Sequence, residues 1–111
     1  MKLVISDDSG VGGAQNERTF EDRSVLIGRD AFECDIAFDR DRFPMVSRRH
    51  AEIRLQNERY YLVDLNSSYG TFLDGMQVTE PVELSSNSRV TIGASGPSLR
   101  RGGATKATSG P

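Results

Sequence analysis

Apolar and polar residues alternate along this chain with a period of two. In Ala51-Glu52-Ile53-Arg54-Leu55 every second residue is apolar and those between are charged, the pattern of a half-buried antiparallel strand. Gln56-Asn57-Glu58-Arg59 then reverses the chain, and Tyr61, Val63 and Leu65 continue the alternation, which makes the pair a β-hairpin. Further short strands are predicted at Lys2–Ile5, Glu17–Phe20, Ser24–Ile27, Asp35–Ala37, Phe72–Leu73, Met76–Val78, Pro81–Glu83 and Arg89–Ile92, with Leu99-Arg100-Arg101 as the last. Clusters of Gly, Asp, Asn and Ser separate them, and no window carries the stripe and caps of a helix. The pattern predicts an all-β sandwich or barrel without internal repeats.

The flanks of this pattern are different. Asp7–Gln15 is polar and glycine-rich and reads as a flexible hairpin loop between the first two strands. From Gly102 onward the sequence GGATKATSGP has no apolar residue beyond alanine. The expected organisation is one domain over residues 1–101 followed by a flexible tail or linker stub over 102–111.

Composition narrows the class. A chain of 111 residues with 36% hydrophobic and 27% charged residues has the material for one folded core. A formal net charge of −2 gives no footprint for duplex nucleic acid or an anionic membrane, so any anion site must be local. The opening MKLVISDDSG is too short in its apolar run for a signal peptide, and no stretch has the ~18 apolar residues of a membrane helix. One cysteine, Cys34, forms no internal disulfide and fits a reducing, cytoplasmic setting. Cys34 and the single histidine, His50, lie sixteen positions apart without a supporting motif, so an enzymatic dyad is disfavoured, and together they are too few for zinc. Gly10-Val11-Gly12-Gly13 lacks the Gly-Lys-Ser/Thr ending of a phosphate loop and reads as ordinary loop. No enzyme activity, cofactor or metal is expected.

Three segments carry the chemistry: Gly28-Arg29, Ser47-Arg48-Arg49-His50 and Asn66-Ser67-Ser68-Tyr69-Gly70-Thr71. A phosphate monoester brings about −1.5 to −2 charges and three acceptor oxygens. It calls for a guanidinium, hydroxyls, backbone N–H groups and a tight loop. These segments offer those groups, and none contains a competing carboxylate. Gly70 in its serine–glycine turn can take angles closed to other residues.

The same segments resemble a known family. Gly-Arg after a strand, Ser-x-x-His opening the next long strand, and Asp64 through Gly75 reading Asp-Leu-x-Ser-Ser-x-Gly-Thr-Phe-Leu-x-Gly are similar in order and spacing to the forkhead-associated (FHA) domain. The resemblance runs from about Lys2 to Arg101. It implies an eleven-stranded β-sandwich of two antiparallel sheets whose loops at one end bind phosphothreonine peptides in signalling proteins. Carried over, it assigns the phosphate to Arg29, Ser47, Arg48 and Ser68, peptide contacts to Tyr69 and Asn66, and structural roles to Gly28, His50, Ser67, Gly70 and Thr71. His50 is implied to brace the loops without touching ligand.

Tyr69 departs from the pattern. The family's turn commonly has asparagine there, whose amide holds the peptide main chain, and a phenol cannot supply a short donor and acceptor together. Weaker peptide binding follows, or a different peptide path with Tyr69 as an aromatic wall. Selection for phosphothreonine over phosphoserine would rest on burying one γ-methyl, worth ~0.8 kcal/mol or somewhat more. Residues within Asp64–Tyr69 or the sign-alternating Asp39–Phe43 stretch are candidates for longer-range specificity, although the latter reads first as a solvated loop. The expected partner is a phosphothreonine-containing protein, with no nucleic acid or membrane, for a domain that is monomeric in isolation. Thr105 and Thr108 in the tail are conceivable ligands within the parent chain. The rival reading is an FHA scaffold used independently of phosphate for self-association or domain docking.

Overall fold

The computed structural model describes residues 1–7 and 17–102; the glycine-rich loop, Gly10–Gly13, Thr105 and Thr108 lie outside the described residues. Among the described residues are eleven strands: β1 (Lys2–Asp7), β2 (Glu17–Glu21), β3 (Val25–Gly28), β4 (Ile36–Ala37), β5 (Ala51–Gln56), β6 (Arg59–Asp64), β7 (Thr71–Leu73), β8 (Met76–Gln77), β9 (Val82–Glu83), β10 (Arg89–Ile92) and β11 (Ser98–Arg101). They form a six-stranded sheet in the order β2-β1-β11-β10-β7-β8 and a five-stranded sheet in the order β4-β3-β5-β6-β9. Alternate residues of both sheets meet in one core, including Leu3, Ile27, Ile53, Leu62, Val90 and Ile92, none of which has any exposed surface. This is the eleven-stranded sandwich the sequence and its family resemblance predict. One detail departs from two wholly antiparallel sheets: β4 runs parallel to β3, with Ile27 opposite Ile36 and Gly28 opposite Ala37. The chain doubles back through the tight turn at residues 30–34, closed by Cys34 N–H on the Asp30 carbonyl at 2.8 Å, and the pair is only two residues long.

The β5–β6 hairpin also corrects the expected phase. Asn57 and Glu58 adopt left-handed backbone angles, φ 54° and 64°, so the turn has two residues and Gln56 pairs with Arg59. Opposite residues in an antiparallel pair share a face, which sets Ile53 against Leu62 and Leu55 against Tyr60. Tyr60 and Leu62 therefore face the core, while Tyr61, Val63 and Leu65 are half-buried on the other side. Both faces of Tyr60–Val63 are apolar, so the sequence pattern alone leaves the phase open and the turn decides it.

The connections that follow β3, β4, β6 and β10 are bonded together at one end of the sandwich. Arg29 N–H donates to the Ser47 carbonyl at 2.9 Å, Gly93 N–H to the Gly70 carbonyl at 2.8 Å and Ala94 N–H to the Tyr69 carbonyl at 3.1 Å. Here the three chemical segments meet.

Candidate phosphate-binding loops

The junction of the first two segments is a single carbonyl. Arg48 O accepts the N–H groups of Arg29 at 3.1 Å and Asp30 at 3.2 Å and the Cys34 thiol at 3.2 Å. Burial pushes the Cys34 thiol up, so it stays protonated and can donate. A Cβ on Gly28 would lie 2.2 Å from that same oxygen. Gly28 is thus required for close approach of two backbones, whereas Gly70, at φ 85°, is required for a left-handed turn.

Ser47 joins all three segments. Its carbonyl accepts Arg29 N–H, its hydroxyl oxygen accepts Ser68 N–H at 3.1 Å, and its own N–H donates to His50 Nδ1 at 3.0 Å. His50 is fully buried and reaches the third segment through Nε2, 2.7 Å from the Gly70 carbonyl. Because Nδ1 accepts a backbone N–H, the proton of the neutral ring sits on Nε2, which donates to Gly70. Burial lowers the His50 pKa below its ordinary 6.5, against smaller opposing effects of the Gly70 carbonyl and the Asp64 charge. The ring is a brace between loops, occupied at both nitrogens.

Asp64 folds the third loop. One carboxylate oxygen accepts the hydroxyls of Ser67 and Thr71, each at 2.6 Å, and the other accepts Ser67 N–H at 3.2 Å. Ser67 Oγ in turn accepts Gly70 N–H at 3.0 Å. Although burial alone would raise it, these hydrogen bonds hold the Asp64 carboxyl below the usual carboxylate range. Thr71 is buried, and Asn66 opens the turn at φ 60°. The resemblance-based assignments name Ser67 and Thr71 but not their organiser, and the only sequence signal for it is an acid three and seven residues before two hydroxyls.

With the loops tied, the side chains implied to bind phosphate divide into two kinds. The Arg29 guanidinium and the exposed Ser68 hydroxyl have no partner among the described residues, and Ser47 is half-buried between them. Arg48 is exposed but paired, its Nη2 3.2 Å from Asp30 Oδ2. A carboxylate therefore does adjoin the site, contrary to expectation: Asp30 immediately follows the Gly28-Arg29 segment, and only the folded turn brings it to Arg48. The Phe32 N–H, 2.9 Å from Asp30 Oδ1, and then Arg48 hold the Asp30 carboxyl below its ordinary range. An ion pair whose arginine side chain is 70% exposed contributes little, so an arriving dianion can compete for Arg48. Tyr69 is 59% exposed at the rim and Asn66 is exposed beside it. Asp39–Arg42 is exposed as a solvated loop; Arg42 lies over the Phe43 ring at 5.3 Å.

Comparison with known proteins gives a consistent picture. The family described as FHA domain matches residues 25–93. The chain is 34% identical over 98 residues to the FHA domain-containing protein FhaB of Mycobacterium tuberculosis, covering 88% of this chain and 59% of that protein. It is 36% identical over 90 residues to the proliferation marker protein Ki-67 of Mus musculus, covering 81% of this chain and 3% of that protein. The chain thus spans less than two thirds of the length of both relatives. Among solved structures, the FHA domain of CT664 from Chlamydia trachomatis superposes with a TM-score of 0.77 at 21% identity, covering 92% of this chain and 97% of that one. The FHA-1 domain of Rv1747 from Mycobacterium tuberculosis gives 0.68 at 28% identity, covering 92% and 99%.

Proposed function

The chain belongs to the FHA family, and from that premise we propose that it binds phosphothreonine-containing peptides through Arg29, Ser47, Arg48 and Ser68, recruiting phosphorylated partners in signalling. The observation that carries the reading is the position of Ser47, hydrogen-bonded to both the Arg29 and the Ser68 segments. A guanidinium and a hydroxyl without partners among the described residues thereby flank a third donor, a set suited to three phosphate oxygens. Arg29 supplies the fixed charge, Ser47 and Ser68 donate hydroxyls, and Arg48 leaves Asp30 to add a second cation. The domain acts as a binding module and not as an enzyme, and a sequence with one cysteine suits a cytoplasmic setting. Peptide contacts fall to Tyr69 and Asn66. One known neighbour of the same fold is described as showing phosphothreonine-dependent FHA domain interactions, which supports the ligand class.

One observation favours a second reading, a phosphate-independent scaffold for self-association or docking: Asp30 already neutralises one of the two arginines. Titration calorimetry with a phosphothreonine peptide and its unphosphorylated copy separates the two. Binding should depend on the phosphate and fall ten- to a hundredfold in Arg29→Ala, since losing a charge-assisted hydrogen bond costs roughly 1.5–3 kcal/mol. Ser47→Ala should lose a comparable amount with the fold intact by thermal melt. Equal binding of both peptides favours the scaffold, and unchanged binding in Arg29→Ala eliminates this site.

A further inference from the structure

Each arginine of the second segment faces an acid from one turn. Arg48 Nη2 lies 3.2 Å from Asp30 Oδ2, and Arg49 Nε lies 3.6 Å from Glu33 Oε1. Only the first pair involves a proposed phosphate donor.

The backbone sets Asp30 beside Arg48. Asp30 N–H donates to the Arg48 carbonyl at 3.2 Å, so the two residues are held together whatever their side chains do. The other Asp30 carboxylate oxygen accepts the Phe32 N–H at 2.9 Å, and the Asp30 carbonyl accepts the Cys34 N–H at 2.8 Å. The acid is thus the fixed partner and the arginine the movable one, with side chains 13% and 70% exposed. The Phe32 N–H and then Arg48 hold the Asp30 carboxyl below its ordinary range, so it is charged at neutral pH. An acid ordered in advance gives up little entropy when it holds a cation.

Arg29 differs. Its N–H bonds to the same Arg48 carbonyl at 3.1 Å, but its guanidinium has no partner among the described residues. Before a ligand arrives, one of the two cations is open and the other is occupied.

We infer that Asp30 is an internal competitor for the phosphate: it occupies Arg48 in the free domain and lowers phosphopeptide affinity, because binding must exchange carboxylate for phosphate on that guanidinium. This rests on the phosphothreonine reading above and deepens it, by naming what regulates the strength of that site. A phosphate with about −1.5 to −2 charges displaces a carboxylate with one, but the gain at Arg48 is reduced by the pair given up. The displaced carboxylate stays beside the phosphate and repels it. Binding therefore adds one net ion pair in the wild type, at Arg29, and a second only once the charge at residue 30 is gone. Salt screens each added pair, so the salt dependence of affinity reports the difference.

The test is calorimetry with a glycine-flanked phosphothreonine peptide at low and high salt. Asp30→Asn removes the charge while its amide oxygen still accepts the Phe32 N–H, and a thermal melt checks the fold. Asp30→Ser, whose hydroxyl can accept the same N–H, replaces it if the melt falls. The variant should bind about threefold tighter than wild type, the scale of an exposed ion pair, and lose affinity more steeply as salt is added. Glu33→Gln removes the neighbouring charge but releases no phosphate donor, and should change affinity less than Asp30→Asn. Arg48→Ala should cost more affinity in the Asp30→Asn background than in the wild type, because only there does the guanidinium act without a rival. Equal or weaker binding by Asp30→Asn, a gain matched by Glu33→Gln, or an Arg48→Ala cost equal in both backgrounds overturns the inference. Each of these leaves the phosphothreonine reading standing where Arg29→Ala still weakens binding. Absence of phosphate-dependent binding in both wild type and Asp30→Asn overturns both.

Discussion

His50→Ala should unfold this domain at markedly lower temperature while altering ligand affinity only through the loops it holds. The substitution removes a buried ring that accepts Ser47 N–H at 3.0 Å and donates to the Gly70 carbonyl at 2.7 Å. Leaving a buried polar group unpaired costs about 1–3 kcal/mol, and two such groups with partial refilling by water and a residual cavity come to about 3–4 kcal/mol. That is a large part of the 5–15 kcal/mol typical of a single domain and corresponds to a fall of roughly 15 °C in Tm. The pH dependence carries a sharper signature. His50 is the only histidine, and its folded pKa lies below its ordinary 6.5. Above that value both folded and unfolded chains carry a neutral ring and its contribution is complete. As pH falls from 6.5 toward the folded value, the unfolded chain takes a proton that the folded ring refuses, so stability declines. The wild type should therefore lose stability between pH 7 and 5 in urea titrations, and His50→Ala should be flatter across that window. Below the ordinary carboxylate value of 3.8, Asp30, Asp35 and Asp64, all lowered in the fold, should cause a second loss in both proteins. A His50→Ala protein within about 0.5 kcal/mol of wild type, outside what losing two buried hydrogen bonds permits, would refute the brace.

Three further outcomes are expected. Gly28→Ala puts a Cβ 2.2 Å from the Arg48 carbonyl oxygen, so it should destabilise by about 2 kcal/mol or more by urea unfolding; a near-neutral change would mean the two backbones can part freely. Asp64→Asn leaves one acceptor oxygen where two now serve Ser67 and Thr71, and should cost about 1–3 kcal/mol of stability together with phosphopeptide affinity, with no loss in either if the carboxylate does not organise the loop. Tyr69→Asn should raise affinity for a glycine-flanked phosphothreonine peptide by restoring a short amide donor and acceptor at the rim; unchanged affinity would show that this position does not limit the grip on the peptide main chain.

The strand set was legible because alternation is a local property. Ala51–Leu55 needs one buried face whatever the rest of the chain does, and the strands from Lys2 to Arg101 appear within a residue or two of the sequence pattern. The candidate donors were legible for a related reason: Arg29, Ser47, Arg48 and Ser68 fall in three short segments whose order resembles a family. The phase of β6 was less legible, since Tyr60-Tyr61-Leu62-Val63 is apolar on both faces and the left-handed pair Asn57-Glu58 makes the choice. Gly28 shows the same limit. Its sequence neighbours do not reveal the Arg48 carbonyl that fills the space of a side chain.

The sequence by itself determined an all-β domain, a local rather than global anion site, and the residue types able to hold a phosphate. Those follow from period, net charge and functional-group chemistry, which need no knowledge of distant neighbours. Tertiary structure decided which donors are free. Arg29 and Arg48 look alike along the chain, yet one has no partner among the described residues and the other is held by Asp30, eighteen positions away. It also decided that the single histidine is occupied at both nitrogens and that Phe32, in the turn after Arg29, stands in water. Electrostatic pairing, tautomer and exposure are relations between loops, and they exist only once the two sheets have packed and brought the loop ends together.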